Sequence, residues 1–161
     1  MAELARVFSE LGYCDAKTLL QSGNVAFIGY ASSCRDLEIQ LQAECQARLG
    51  LDVAFFVRTA EEWTEVIEFN PFTPMALADP SHLVVHFLNE MPLAYDVDRV
   101  QGAIMGPEEI RAGSKHLYVT YPNGIGTSTI GRTPGWNKLT ANGTARNWNT
   151  ILKLHAMLHG D

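Results

Sequence analysis

The stretch EEIRAGSKHLYVTYP (108–122) places β-branched and aromatic residues on both sides of Gly113 and Ser114. Such a pattern, with a short glycine-containing break, predicts an antiparallel β-hairpin. HLVVHFLN (82–89) before it predicts a strand, and AYDVDRVQGAIM (94–105) predicts a helix between that strand and the hairpin. Strands joined by helices and by hairpins are typical of the α+β class, not of a doubly wound parallel sheet.

The first half of the chain shows the same alternation of helical and extended patterns. Apolar residues at helical spacing predict helices over 2–13, 33–49 and 60–69. Extended patterns predict a strand–turn–strand unit in KTLLQSGNVAFIGY (17–30) and a strand in LDVAFFVRT (51–59). Both halves therefore fit an antiparallel sheet covered by helices, which is the arrangement of a ferredoxin-like (split βαβ) fold.

A proline-rich stretch separates the two halves. NPFTPMALADPSH (70–82) contains three prolines and no periodic pattern, which is typical of a boundary between subdomains. The sequence thus predicts a first ferredoxin-like subdomain over residues 1–72 and a second over residues 73–161, which ends in the closing helix. No sequence repeat relates the two halves.

Composition limits the classes of function that fit the chain. The 161 residues carry a net charge of −6 with only 12 Lys and Arg, whereas nucleic-acid binders usually present a basic face. No apolar run reaches the roughly 18 residues that a membrane span needs, and the amino terminus lacks a signal peptide's hydrophobic stretch. Cys14, Cys34 and Cys45 form no C-x-x-C pair and no even set. We therefore expect a cytoplasmic protein with reduced thiols, no membrane contact, no cofactor and no bound metal.

The stretch GTARNWNTILKLHAML (143–158) predicts the closing helix, with Thr144 as its N-cap. Arg146 and Asn147 then fall in the first turn, where a cation opposes the helix dipole. Three interpretations stay open for Arg146: an ion pair with a carboxylate of the other subdomain, an anion site completed by Asn147 and backbone N–H groups, or an exposed side chain. Helical spacing predicts a buried face that consists of Trp148, Ile151, Leu152 and Leu158.

A glycine-rich loop, YPNGIGTST (121–129), follows the predicted hairpin. Loops of this kind after a strand can bind phosphate through backbone N–H groups, so Asn123, Gly124 and Gly126 are candidate ligand-binding residues. No Gly-Lys-Ser/Thr follows, so the loop is not a Walker A motif, and Asn123-Gly124 also fits an ordinary turn. Lys138 is a further candidate, because a nearby turn could bring its ammonium group to the loop.

The histidine pairs give weaker signals. His155 and His159 share a helical face, but Ala156 stands where the zinc-protease motif HExxH has its glutamate. His82 and His86 fall on one side of the predicted strand, without a third metal ligand of suitable spacing. A core or terminal role explains these side chains better than metal binding does.

The remaining polar candidates have ordinary structural explanations. Gln21, Ser22 and Asn24 could contact a ligand at the first hairpin's tip, but turn chemistry explains the same residues. Asp52 and Arg58 flank a predicted strand, and isolated charges of this kind usually end in water or in surface pairs. No serine lies in a G-x-S-x-G motif, so nothing anchors a hydrolase triad.

Five stretches together resemble the DUF1697 family, bacterial proteins of unknown function. They are LLQSGNVAF (19–27), FFVRTAEEW (55–63), NPF (70–72), YVTYPNGIGTS (118–128) and GTARNWNTILKL (143–154). The resemblance spans essentially the whole chain and implies a pair of ferredoxin-like subdomains. It implies no activity.

The chain departs from the family pattern in two places. Family members have a strand and a glycine-rich turn before the helix that starts here at Met1, and the first strand is central in a ferredoxin-like sheet. Its loss leaves unpaired backbone groups, so the chain must re-pair its strands, take one from a partner or be a shortened gene product. We predict a homodimer on this basis. After Gly-Ile-Gly the family carries Ser-Lys-Leu, whereas Ser128, Thr129 and Ile130 stand here, so the loop lacks a lysine.

Three functions remain open. The preferred one is a non-enzymatic binding or interaction domain that takes a small anionic ligand in the groove between subdomains, near Asn123, Lys138, Arg146 and Asn147. An enzyme acting on a phosphorylated or carboxylated metabolite would need a base, such as His116 or a thiol such as Cys14, in the same groove. RNA binding is opposed by the acidic balance and by the absence of an RNP-type aromatic motif.

Overall fold

The computed structural model describes residues 1–19 and 23–160, which form a mixed α+β structure with two antiparallel sheets flanked by helices. The predicted α+β class is thereby confirmed. Contacts divide the chain into two units: unit 1 comprises residues 1–61 and 154–161, and unit 2 comprises residues 62–153. In the described part of the chain, no helix has the length and apolar character needed to cross a membrane.

Residues 1–49 of unit 1 form two helices and one antiparallel hairpin, as the sequence predicted, and residues 154–159 of unit 1 belong to the last helix of the chain. The elements of residues 1–49 are α1 (Ala2–Glu10), β1 (Cys14–Leu19), β2 (Asn24–Ile28) and α2 (Cys34–Leu49). The hydroxyl of Ser33 accepts a hydrogen bond from the backbone N–H of Asp36 and caps α2, which ends at Gly50 in the left-handed conformation. The turn residues Gln21 and Ser22 lie outside the described residues.

The core of unit 1 is an aromatic cluster beneath α1 and α2. The ring of Phe8 packs edge to face on Phe27, with ring centroids 4.8 Å apart, and Tyr13 contacts the same ring at 5.1 Å. Leu37 and Leu41 of α2 close the cluster. Edge-to-face pairs of this kind add to the hydrophobic gain of burying the rings, so the cluster fixes both helices on the hairpin.

Residues 51–59 were predicted as a strand, and this prediction is wrong: the described residues of the segment form no ladder. Side chains hold the segment instead. Phe55 and Val57 pack on the core of unit 1, and the backbone N–H of Val57 donates to Oε1 of Glu38 at 2.8 Å. The apolar pattern identified buried side chains correctly, but a ladder also requires a neighbouring strand, which a local pattern does not specify.

Unit 2 is built on a four-stranded antiparallel sheet with the order β4-β5-β3-β6. Its strands are β3 (Leu83–Leu88), β4 (Glu109–Ala112), β5 (His116–Thr120) and β6 (Gly143–Asn147). The helices around it are α3 (Ala60–Glu68), α4 (Thr73–Ala78), α5 (Ala94–Ala103), α6 (Trp136–Thr140) and α7 (Trp148–His159). The predicted hairpin, strand and linking helix are confirmed, and the elements from β3 to β6 include the order β3-α5-β4-β5-α6-β6.

One face of this sheet carries the main apolar core of unit 2. Val84 of β3 and Val119 of β5 lie under Val100 of α5 and the indole of Trp136 on α6. Ile130, which ends the glycine-rich loop, belongs to the same cluster. The core therefore anchors one end of that loop.

The opposite face is covered by α3 and by the first turns of α7. The indole of Trp63 stacks on Phe87 at 5.0 Å, and its Nε1–H donates to the carbonyl oxygen of Ile151 at 3.1 Å. The hydroxyl of Tyr118 donates to the carbonyl of Val66 at 2.7 Å, and burial raises the pKa of Tyr118 to about 12. Both polar groups are thus satisfied inside an apolar layer.

Candidate functional site

The closing helix begins later than the sequence predicted. Residues 143–147 form the edge strand β6, and α7 starts at Trp148. Oδ1 of Asn147 accepts a hydrogen bond from the N–H of Thr150 at 3.0 Å, so Asn147 has the capping role that was predicted for Thr144. The sequence predicted Thr144 as the N-cap, but the capping residue is Asn147. Pairing with β3 holds the residues before Asn147 in extended conformation, so the helix cannot begin earlier.

Arg146 lies in this strand and not in a helical turn, which corrects its predicted placement. It stands opposite Val85, and its Nη1 donates to the hydroxyl of Thr144 at 2.9 Å and to the carbonyl of Ala145 at 2.7 Å. Burial lowers the pKa of Arg146 from its ordinary value, yet a guanidinium stays charged at neutral pH. The guanidinium of Arg146 is therefore not in the first turn of a helix, where its positive charge would oppose the helix dipole.

The buried face of α7 also differs from the predicted one. Trp148 and Ile151 are buried, as expected, and Leu154 joins them. Leu152 and Leu158 were predicted to be buried, but they are 43% and 36% exposed.

The glycine-rich loop lies at the edge of the sheet where β3 begins and β5 ends. The N–H of Tyr121 donates to the carbonyl of His82 at 2.8 Å, and the N–H of Gly124 donates to the carbonyl of Tyr121 at 2.9 Å. Gly124 has a φ of 88°, which a residue with a side chain rarely adopts. The turn interpretation of Asn123-Gly124 is thus confirmed, and it brings the rest of the loop beside His82.

Three consecutive backbone N–H groups in this loop, those of Ile125, Gly126 and Thr127, have no acceptor among the described residues. The neighbouring N–H of Ser128 is used, since it donates to the carbonyl of Ile125 at 3.1 Å. The hydroxyl of Thr127 donates to the carbonyl of Asn123 at 2.7 Å and braces the turn. In other proteins, successive backbone N–H groups that point to one side can bind an anion.

A histidine–carboxylate pair stands beside the loop. His82 was predicted in the strand, but it ends the 3₁₀ turn before β3. Its Nδ1 lies 2.5 Å from Oδ2 of Asp79, which places the carboxylate against the imidazole ring. A Cβ built on Gly124 would lie 3.6 Å from Nε2 of His82, so this nitrogen faces the loop. The side chain of His82 is 35% exposed, which leaves the pair open to solvent.

On the other flank, a buried carboxylate holds the end of the loop. The side-chain hydroxyl of Ser128 donates to Oε1 of Glu108 at 2.6 Å and accepts from the N–H of Ile130 at 3.2 Å. Glu108 is only 5% exposed, and within the described residues no donor reaches its Oε2, which faces Gly106. Burial, with the charge of Glu108 as the second cause, raises the pKa of Tyr121 to about 12. The loop is therefore fixed at both ends.

The second histidine of the predicted pair has a different environment. His86 packs edge to face on Trp136 at 5.3 Å, and burial lowers the pKa of His86 to about 4, so it is neutral near pH 7. His155 and His159 lie in α7 with ring centroids 4.3 Å apart. In residues 1–19 and 23–160, no group of three His, Cys, Asp or Glu is arranged to hold a metal ion.

The structure brings some of the predicted site residues together. Asn123, Gly124 and Gly126 form the loop, and the end of β6, with Asn147, lies beside the 3₁₀ turn that carries His82. Lys138 is exposed on α6. His116 begins β5, at the end of that strand away from the loop, and Cys14 belongs to unit 1.

Sequence reasoning missed Asp79 and Glu108. The spacing Asp-x-x-His in ADPSH (78–82), directly before a strand, was a readable signal for the first, since residues three apart in a helical turn are neighbours. Glu108 gave no signal, because its partner Ser128 is 20 residues away in the sequence.

The fold and this loop define a two-unit α+β protein whose second unit carries a glycine-rich loop with three backbone N–H groups that lack an acceptor in the described residues, beside a histidine–carboxylate pair. A family model described as protein of unknown function (DUF1697) matches residues 1–118, and the chain belongs to that family. The matched part ends before the loop and β6. The resemblance predicted from the five stretches is therefore confirmed at the level of the family.

Comparison with other proteins adds information about the fold alone. A solved structure of the conserved bacterial protein SP0830 from Streptococcus pneumoniae matches with a TM-score of 0.73 at 19% sequence identity. The match covers 98% of this chain and 88% of that one. No curated protein matches.

Proposed function

We propose that the protein is a cytoplasmic, non-enzymatic binding domain that takes a small anion at the loop of residues 123–127. The observation that carries this proposal is the run of three N–H groups, from Ile125 to Thr127, without an acceptor in the described structure. Backbone N–H groups bind phosphate or carboxylate without a charged side chain, so a lysine in the loop is not required. The three free thiols, of Cys14, Cys34 and Cys45, are in keeping with a reducing compartment.

Side chains around the loop add to the proposed site. Gly126 has no atom within 4 Å of where its Cβ would be, which leaves open space for a ligand above the loop. Asn147 supplies an amide at the adjoining strand end, and Arg146, one residue earlier, contributes positive charge. Lys138 is retained as a flexible cation that could approach a bound anion from α6. The groove between subdomains that the sequence suggested is not needed for this site, because the loop and its neighbours all belong to unit 2.

The proposal predicts which amides respond to an anion. Addition of inorganic phosphate to the ¹⁵N-labelled protein should shift the amide resonances of Ile125, Gly126 and Thr127 in a saturable way, because hydrogen bonds to an anion deshield these protons. The amides of Gly113 and Ser114, in the hairpin turn at the other end of β5, should not respond. A titration at constant ionic strength, balanced with chloride, separates binding from salt effects.

A pair of glycine variants sharpens this test. Gly124→Ala should weaken phosphate binding, because a residue with a side chain costs about 1–2 kcal/mol in the left-handed conformation that Gly124 adopts. Gly102→Ala, in α5 and outside the loop, is the matched control, since its Cβ meets nothing within 4 Å. Unchanged resonances of all three loop amides at millimolar phosphate would show that the loop is only a turn.

An enzyme acting on a phosphorylated or carboxylated metabolite is the second candidate function. The observation in its favour is the Asp79–His82 pair, because a carboxylate that orients an imidazole is a common general-base arrangement. The loop would bind the anionic group while Nε2 of His82 removed a proton nearby. New ³¹P resonances, from phosphate esters incubated with the protein, would support turnover over simple binding.

We also propose that the chain forms a homodimer through the hairpin of unit 1. In the described residues the sheet of unit 1 has only β1 and β2, and a two-stranded sheet with unpaired edges readily adds a further strand. A second copy of the chain would extend the sheet across such an edge. Sedimentation equilibrium should give about twice the monomer mass of 17.8 kDa. A monomeric mass at the highest soluble concentration would contradict the proposal.

A further inference from the structure

We propose that His155 and His159, in the last turns of α7, chelate a divalent ion of the late transition metals, such as Ni²⁺, Cu²⁺ or Zn²⁺. The sequence favoured a core or terminal role for both residues, but the structure brings their imidazole rings face to face, with centroids 4.3 Å apart. Both histidines belong to unit 1, whereas the loop of residues 123–127 belongs to unit 2. The proposal is therefore independent of the proposed anion site.

The geometry of the helix places the two rings at a distance that suits one metal ion. Residues four positions apart are neighbours on an α-helix, so His155 and His159 share one side of α7. Two imidazoles that bind one ion at about 2.0–2.1 Å, with an angle at the ion between about 90° and tetrahedral, have ring centroids roughly 4.5–5 Å apart. The observed separation of 4.3 Å is close to that range, so a small rotation of the side chains is enough.

The rings are also accessible and free to bind. His159 is exposed and His155 is half-buried, so an ion reaches the pair from water. Nδ1 of His155 is buried and has no hydrogen-bond partner in the described part of the chain. No hydrogen bond to this nitrogen therefore has to break when the ring binds a metal ion.

The position of the pair favours a cation of a particular kind. α7 ends at His159, and the last turn of a helix carries partial negative charge on its free carbonyl groups. Imidazole nitrogens suit Ni²⁺, Cu²⁺ and Zn²⁺, whereas Mg²⁺ and Ca²⁺ prefer oxygen ligands. In residues 1–19 and 23–160 no third His, Cys, Asp or Glu completes the group, so water supplies the other positions around the ion.

Isothermal titration calorimetry of the full chain, without a histidine tag, tests the site with the metal chlorides alone. Cu²⁺ should bind more tightly than Ni²⁺ or Zn²⁺. His159→Gln should weaken Ni²⁺ binding at least about 10-fold, because the second imidazole acts at a high effective concentration once the first has bound. His155→Gln should weaken it to the same extent, since either change leaves a single imidazole. Lys153→Gln, an exposed residue of the same helix, is the matched control and should keep the Ni²⁺ affinity.

A stability measurement separates metal binding from effects of the variants on folding. Ni²⁺ should raise the midpoint of thermal unfolding of the unchanged protein, because the ion binds the helical pair more tightly than the unfolded chain. This increase should be absent in His159→Gln, whose circular dichroism spectrum should stay unchanged because the side chain is exposed. If the half-buried position of His155 prevents its variant from folding, the result for His159→Gln decides.

Two outcomes would overturn the proposal. If Ni²⁺ does not bind, or if His159→Gln binds it as tightly as Lys153→Gln does, the histidine pair is only a packing contact. If both histidine variants fold and only one of them weakens Ni²⁺ binding, a single imidazole binds the ion and there is no chelate. Phosphate binding to the loop is measured separately, so neither outcome bears on the proposed function.

Discussion

Trp136→Ala is expected to lower the free energy of unfolding of unit 2 by about 3–5 kcal/mol, the range for removing a large aromatic side chain from a core. Trp136 is 7% exposed and lies on α6 among the aliphatic residues of the main core, edge to face with His86. Because α6 has only five residues, it has little helical stability of its own and depends on this contact. The cavity would also loosen Ile130, which anchors the loop.

Urea denaturation followed by the fluorescence of Trp63 and Trp148 measures this effect, since both remaining tryptophans belong to unit 2. Asn137→Ala is the matched control: the residue is exposed on the same helix, and its change should stay within about 0.5 kcal/mol. A loss below about 1 kcal/mol for Trp136→Ala would mean that the packing of α6 contributes little.

Glu38→Ala is expected to destabilise unit 1 by about 3–5 kcal/mol, as is typical when one partner of a buried ion pair is removed. Oε1 of Glu38 lies 3.7 Å from Nη1 of Arg58, and the two side chains are only 5% and 4% exposed. The same carboxylate accepts from the N–H of Val57. Its loss leaves the charge of Arg58 buried without this carboxylate and releases the segment of residues 51–59.

Thermal or urea unfolding monitored by circular dichroism measures the loss. Glu44→Ala is the matched control on the same helix, because Glu44 pairs with Arg48 at 2.7 Å in a partly exposed pair that contributes at most about 1 kcal/mol. Glu38→Gln should have an intermediate effect, since an amide oxygen still accepts from Val57. Equal effects of Glu38→Ala and Glu44→Ala would contradict the view that burial of this pair matters.

The same pair shows where sequence reasoning about charges fails. Asp52 and Arg58 were expected in water or in surface pairs, but the side chain of Arg58 is buried against Glu38. Glu38 and Arg58 are 20 positions apart in the sequence, and neither residue has a local pattern that reveals its burial. The helix α2 and the segment after it must pack before the charges meet.

The candidate site likewise contains some features that the sequence predicts and others that it does not. The turn at Asn123-Gly124 was readable from two residues, because only glycine adopts the required φ without strain. The Asp79–His82 pair was partly readable from its spacing. The hydrogen bond from Ser128 to Glu108 could not be predicted from the sequence, because the two residues meet only when β4 and β5 pair.

By itself, the sequence determined the helices, hairpins and turns whose causes are local. Ser33 begins α2 and Gly50 ends it, wherever the helix packs. Gly113 allows the chain to reverse between two strands. Only the tertiary structure decided the conformation of segments whose partners are distant. Arg146 lies in a strand because β3 is beside it, whereas residues 51–59 have apolar strand character but no ladder in the described structure. Hydrogen bonds across a sheet outweigh local preferences of a few tenths of a kcal/mol per residue, and they form only between segments that folding brings together.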